Sequence, residues 1–230
     1  MPRLALRSAT LAAVIAAAAL ASCGSSSSDS QSKSTSTPAP ASTPSAAQAG
    51  GCKKVSQPPA KNVKLKKPTE RLQAGKTYIA KVVTSCGEFD ITLDAKRAPR
   101  TGGSFKYLAD QHFYDNLTIH RISQGFVIQG GDPKGDGTGG PGYSVVEAPP
   151  KNFKYPKYEV AMAKTQSEAP GTSGSQFFVV TADGTPLTPD YALVGKVTAG
   201  TDVVDRIGVL PTTSDEQPVD PVVIDSITVK

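Results

Sequence analysis

Arg121, Gln129, the cysteines Cys23, Cys52 and Cys86, and the histidines His112 and His120 are the side chains in this 230-residue chain whose types and spacing bear most directly on chemistry. The histidines and cysteines nowhere fall at the short spacings that build a zinc site, so no metal is expected. Arg121 and Gln129 belong to the run Ile119 to Asp132, IHRISQGFVIQGGD. An arginine stays charged and holds several N–H donors in a rigid fork, so it can stabilise a lone pair or a carbonyl without giving up a proton. If this run is extended, side chains two apart share a face, which sets Val127 beside Gln129. Taken singly, each residue has a plainer reading: Arg121 as a surface-paired arginine, Gln129 as a polar barrel residue, Phe126 and Phe178 as core.

Short strands are the elements that would position such a run. From Thr77 onward, alternating or buried apolar runs are separated by Gly, Pro and Asp. Tyr78 to Thr84, Glu88 to Asp94, Leu117 to Ile122, Phe126 to Gly130, Tyr158 to Ala163, Gln176 to Thr181, Ala192 to Val197 and Val222 to Val229 read as eight strands. Such a set can close into a barrel and so remove its exposed edges. A first helix begins near Pro99, a favoured first-turn residue, and carries Phe105 and Leu108 on one face, although Gly102 and Gly103 each weaken it by about 1 kcal/mol relative to Ala. A second follows Gly200, with Thr201 as its N-cap and Val203, Val204 and Ile207 at helical spacing. The composition, with 21 Gly, 19 Pro and no Trp, agrees with a mainly β chain that reverses often.

The N-terminal segments read differently. Arg3 and Arg7 precede Leu11 to Leu20, LAAVIAAAAL, a run too short for a stop-transfer helix and typical of a signal-peptide core. Leu20-Ala21-Ser22-Cys23 resembles a bacterial lipobox, which implies that residues 1–22 are removed and that Cys23 takes the lipid, palmitate included. The alternative is an ordinary secretory signal with an incidental cysteine. Residues 23–50, rich in Ser, Thr, Pro and Ala, cannot repay the entropy of ordering and are expected to form a flexible tether. The chain is then expected at the extracytoplasmic face of the cell membrane.

Residues 51–76 form a basic extension, with eight Lys and Arg against one Glu between 53 and 76. Residues 77–230 carry 14 basic and 18 acidic side chains, so the folded part is mildly acidic and nucleic-acid binding loses its electrostatic support. Export would leave Cys52 and Cys86 in an oxidising compartment, where a disulfide between them is expected. That bond would pin the basic extension and close a loop of about 35 residues, worth roughly 3 to 4 kcal/mol. Two unpaired thiols, or pairing between molecules, are the alternatives.

QGFVIQGGD, then DGTGG from Asp136 to Gly140, GSQFFVVT from Gly174 to Thr181 and LVGKV from Leu193 to Val197 resemble the cyclophilins, peptidyl-prolyl cis/trans isomerases, in order and rough spacing. The resemblance covers residues 77–230. It implies a closed eight-stranded antiparallel β-barrel capped by two α-helices, acting on X-Pro bonds of exported, proline-containing polypeptides. Rotating such a bond crosses a barrier of about 18 to 20 kcal/mol with no bond made or broken, so no nucleophile, metal or cofactor is required. What helps is an apolar pocket for the proline ring and a donor to the imide nitrogen as it loses conjugation. By resemblance, Arg121 is that donor and Gln129 holds Arg121 or the substrate carbonyl. Phe126, grouped with them as catalytic, lines the proline pocket with Val127, Phe178 and Leu187. Gln176 matches a family site glutamine, and Ala163 and Lys164 fall where a backbone-anchoring Ala-Asn pair is common. Tyr191 stands where many members carry His and some Tyr, and His120 matches a motif histidine of structural character. Ile119 departs from a frequent Phe, and Pro186 from the Trp that supports tight cyclosporin binding. The chain is expected to be a monomer. A module that captures proline-containing segments without turnover is the competing reading, whereas a ligand-carrying barrel fits poorly because the glycines cluster at GGD and GTGG.

Overall fold

The computed structural model describes residues 51–230, so the signal-like segment 1–22, Cys23 and the stretch 23–50 lie outside the described residues. In β1 (Ile79–Thr84) and β2 (Gly87–Leu93) every second side chain is buried: Ala80 and Val82 on one, Phe89, Ile91 and Leu93 on the other. This is the period that a sheet with one face on a core demands. There follow α1 (Pro99–Asp110), β3 (Leu117–Ser123), β4 (Val127–Asp132), β5 (Val145–Val146), β6 (Glu159–Met162), β7 (Thr172–Ser173), β8 (Phe177–Val180), β9 (Leu193–Ala199), α2 (Thr201–Gly208) and β10 (Val223–Val229). Eight of these strands close a barrel in the order β1-β10-β3-β4-β8-β6-β9-β2, every neighbour antiparallel and β2 paired back onto β1. The expected closed eight-stranded barrel with two helices is the fold observed.

The main core joins the inward strand residues to Phe105 and Leu108 of α1 and to Val204 and Ile207 of α2. Beneath α1 the rings of Phe105, Tyr114 and Phe177 lie 5.1 to 5.8 Å apart, centroid to centroid. Apart from shifts of one or two residues at strand ends, two features depart from the sequence expectation. β5 and β7 form a separate two-stranded sheet, too short to display a period. The N-cap of α2 is Gly200 rather than Thr201, at φ 69°, and a Cβ there would meet the Glu88 carbonyl oxygen, so only glycine fits.

Residues 51–76 are strapped onto the barrel. Cys52 and Cys86 are joined by a disulfide across 34 positions. Backbone N–H groups of Lys53, Lys61, Leu65 and Leu72 donate to the carbonyls of Ser85, Pro133, Pro141 and Pro99 at 2.7 to 2.9 Å. Leu72 is 4% exposed and rests on α1 where Gly102 lacks a side chain, while the Glu70 backbone crosses Gly103. The two glycines that weaken α1 as a helix are therefore the floor on which the strap lies. Among the described residues no helix is long and apolar enough to cross a membrane.

Candidate active site

The barrel pleat sends alternate residues to two different clusters. On β4, Ile128 enters the main core while Val127 joins a second apolar cluster; on β8, Phe177 and Val179 divide in the same way from Phe178 and Val180. Ala161 of β6 and Leu193 of β9 belong to the second cluster too, with Phe126, Ala163, Leu187 and Tyr191 packed against it. Cross-strand register aligns the members. Arg121 pairs with Gln129, Gln129 with Phe178, Phe178 with Ala161, and Ala161 with Leu193. One transverse row thus runs from a guanidinium through an amide to an apolar patch.

Arg121 reaches this row only because β3 is irregular. Ile119 pairs with Gly130 and Arg121 with Gln129, which leaves His120 as an extra residue. Ile119 is in the core, so in a regular strand Arg121, two positions on, would share its inward face. The bulge re-aims the side chain outward, a common use of bulges beside functional sites. His120 itself is buried, and that burial lowers its pKa, favouring the neutral imidazole. It lines a separate cleft with Gln57 and Gln217.

A hydrogen-bond chain holds the polar end of the row. Arg121 Nη1 donates to Gln129 Oε1 at 3.3 Å, and Gln129 Nε2 donates to Gln176 Oε1 at 3.0 Å. Gln176 Nε2 in turn donates to the carbonyls of Gly137 and Gly139, both at 2.9 Å. The loop carrying those glycines is gathered around the buried Asp132, whose carboxylate accepts the backbone N–H groups of Lys134, Asp136 and Gly137. The same stretch receives Lys61 and Leu65 of the strap at Pro133 and Pro141, so the strap buttresses the site through this loop. On its other side Arg121 Nε donates to Glu216 Oε2 at 2.6 Å, and Ser123 Oγ donates to Glu216 Oε1. The Ser123 hydroxyl and then the Arg121 guanidinium hold the Glu216 carboxyl below its ordinary pKa.

At the apolar end, Phe178 is 4% exposed and meets Tyr191 edge-on, ring centroids 5.3 Å apart. Tyr155 fixes Tyr191: its hydroxyl donates to the Tyr191 carbonyl at 2.7 Å and accepts the Tyr191 N–H at 3.1 Å. Phe126 sits in the turn closed by its N–H on Ser123 O, with Gly125 at φ 71°, so β4 begins one residue later than expected. The Ala163 N–H donates to the Gln176 carbonyl at 2.8 Å, which ties the end of β6 to the start of β8. Lys164 Nζ bonds the carbonyls of Thr165 and Glu168 and lies 5.9 Å from the Tyr191 ring centroid, at the rim.

The fold therefore brings Arg121, Gln129 and Gln176 to one end of a patch made by Phe126, Val127, Phe178, Leu187 and Tyr191, with Ala163 and Lys164 along its edge. Glu216 and Tyr155 were missed, since both lie in loops without periodic signal. Among the described residues no group of three His, Cys, Asp or Glu side chains is placed to hold a metal ion. What the arrangement offers is a charged donor fork beside an apolar surface.

Residues 79–229 match the family described as cyclophilin type peptidyl-prolyl cis-trans isomerase/CLD. The chain is 38% identical over 165 residues to the probable peptidyl-prolyl cis-trans isomerase A of Mycobacterium leprae, covering 64% of this chain and 88% of the relative. It is 37% identical over 171 residues to peptidyl-prolyl cis-trans isomerase B of Streptomyces anulatus, covering 66% and 95%. A Cryptosporidium parvum cyclophilin type isomerase of known structure superposes with a TM-score of 0.63 at 28% identity, over 67% of this chain and 98% of that one. The same C. parvum protein in the presence of the dipeptide Ala-Pro gives a TM-score of 0.61 at 29% identity, over 66% and 98%.

Proposed function

This chain belongs to the cyclophilin type peptidyl-prolyl cis-trans isomerase family and is an isomerase of that kind; we propose that it turns X-Pro bonds of exported polypeptides, with Arg121 stabilising the twisted imide. The observation that carries the mechanism is the row Arg121, Gln129, Phe178, in which a guanidinium stands beside an apolar surface. A proline ring laid on Phe178, Val127, Phe126 and Leu187 leaves the preceding imide near the fork. As the C–N bond rotates, conjugation is lost and a lone pair develops on nitrogen, so a donor aimed there binds the transition state more tightly than the ground state. Gln129 holds the fork by one N–H, and Gln176 holds Gln129. Ala163, Lys164 and Tyr191 anchor the flanking peptide backbone at the rim. A proline-containing peptide as substrate is supported by the C. parvum relative studied with Ala-Pro.

The same reading places the enzyme, as a monomer, at the extracytoplasmic face of the cell membrane, held by lipid on Cys23. Its support is the signal-like core followed by Leu20-Ala21-Ser22-Cys23 and a disulfide that suits an oxidising compartment. Slow prolyl isomerisation limits folding there as elsewhere. Two assays test it. A protease-coupled assay on a proline peptide should show turnover by the chain, and Cys23→Ala should move the protein out of the membrane fraction or leave it unprocessed; unchanged anchoring and processing would contradict the lipid.

A further inference from the structure

Beyond the point where β10 stops pairing with β3, at Thr118, the edge of β3 is covered by a turn between α2 and β10. A bridge between Thr212 and Pro218 closes it. Inside the turn, Thr213 N–H donates to Gln217 O at 2.8 Å and Glu216 N–H to Thr213 O at 3.1 Å. The turn is sewn to β3 by the Ile122 N–H, which donates to Glu216 O at 2.7 Å. Glu216 sits at φ 60°, a backbone conformation that residues other than glycine rarely adopt. That conformation and the Ile122 bond together fix its Cα beside Arg121. The carboxylate then meets two β3 side chains, Nε of Arg121 at 2.6 Å through one oxygen and the hydroxyl of Ser123 through the other.

We infer that Glu216 is a positioning residue of the isomerase: it fixes the plane of the Arg121 guanidinium so that the unengaged N–H groups face the rotating imide. This rests on the reading of Arg121 given above. A guanidinium has five N–H donors in one plane. Glu216 takes the one on Nε and Gln129 takes one on Nη1, from different sides of the fork. Three donors remain for substrate, and two anchors define a plane where one would leave rotation about the side chain. Gln129 alone is a weak anchor, since its contact is the longer of the two at 3.3 Å. Ser123 holds the carboxylate against swinging away, and its hydroxyl is the largest cause of the lowered Glu216 pKa.

A geometric role and a mere surface ion pair make different forecasts. Arg121 and Glu216 side chains are 36% and 41% exposed, so their Coulombic attraction is largely screened and a purely electrostatic pair would be worth little. Orientation instead acts on the turnover step, because a misplaced donor loses transition-state stabilisation while the proline patch still binds. Glu216→Ala is expected to lower kcat roughly 5- to 10-fold with KM changed less than about twofold. Glu216→Gln keeps an acceptor at the same reach and should recover most of that loss. Glu216→Gly serves where Ala compromises the turn, because glycine adopts the positive φ freely while still removing the carboxylate.

The experiment is steady-state isomerase kinetics on the full chain for these variants, for Arg121→Ala and for the double variant Arg121→Ala/Glu216→Ala, with thermal melts alongside. The inference is upheld if kcat falls at unchanged KM in Glu216→Ala or Glu216→Gly, Gln rescues, and removal of Glu216 adds nothing once Arg121 is gone. It is overturned if Arg121→Ala is impaired while every Glu216 variant matches wild type, if Glu216→Gln is faster than wild type, or if the loss persists equally in the Arg121→Ala background. Wild-type turnover by Arg121→Ala itself would remove the catalytic reading of Arg121, a distinct outcome from failure of the Glu216 role.

Discussion

Replacing Gly103 by Ala should destabilise this protein, although the same change in an exposed helix interior stabilises by about 1 kcal/mol. Gly103 lies inside α1, and a Cβ there would stand 2.5 Å from the Glu70 carbonyl oxygen and 2.9 Å from Arg71 Cα. Both are backbone atoms, so the strap must lift. Lifting it strains the Leu72 N–H bond to Pro99 O, 2.9 Å, and exposes Leu72, now 4% exposed. Full loss of the side chain's burial costs about 1.5 to 3 kcal/mol and the hydrogen bond about 1 kcal/mol. Against a propensity gain of about 1 kcal/mol, the net expectation is a loss of up to roughly 1.5 to 3 kcal/mol. Gly102→Ala should cost less, because its close neighbour is the flexible end of Leu72. The assay is denaturant unfolding of the oxidised protein at constant m-value, repeated on a chain lacking residues 51–74. In the shortened chain Gly103→Ala should turn stabilising relative to its parent. A stabilising Gly103→Ala in the full chain would refute the strap's contact with α1.

Other expectations follow from the same structure. Cys52→Ser, which opens a loop of 34 positions, should lower stability by about 3 to 4 kcal/mol in the chain-entropy model; equal midpoints for the variant and the oxidised parent would contradict it. Burial raises the Glu159 carboxyl to about 7, opposed by Arg97, whose Nη2 is 3.9 Å away. Since the unfolded chain gives up this proton near 4.5, the folded state binds it more tightly between about 4.5 and 7, and stability is lost as pH rises through that window. Glu159→Gln should flatten this loss, of order 1 to 3 kcal/mol, and be more stable than wild type at alkaline pH, as thermal melts across a pH series would show. Phe178→Ala should cost about 3 to 5 kcal/mol of stability and weaken peptide binding together, measured by unfolding and by titration with a proline peptide; a variant that binds normally would place the proline patch elsewhere.

The parts of the fold legible in sequence were those that obey a period. Alternation in Ala80 to Thr84 and Phe89 to Leu93 is carried by the residues themselves, whereas Phe177 to Val180 is apolar and buried throughout, so its split between two clusters comes from the pleat and not from residue type. Parity likewise set Val127 and Gln129 on one face. It could not supply Arg121, which by parity would follow Ile119 inward; only the pairing register shows the extra residue at His120 that turns it out. Gly102 and Gly103 read as defects in a helix because the strap that needs their missing side chains comes from some 30 residues away in the chain. Glu216 and Tyr155 were invisible for a related reason. Their roles depend on non-local contacts, 95 positions to Arg121 for one and 36 to Tyr191 for the other, and local pattern carries no trace of them.

The most direct test of Arg121 as the donor to the rotating imide is the isomerase kcat/KM of Arg121→Ala, with circular dichroism to establish folding. One charge-assisted hydrogen bond made chiefly in the transition state is worth about 1.5 to 3 kcal/mol, so kcat/KM should fall roughly 10- to 10²-fold. Arg121→Lys should remain impaired, because an ammonium cannot hold Gln129 and Glu216 in one plane while donating to the imide. A folded Arg121→Ala variant that isomerises at the wild-type rate would contradict the assignment.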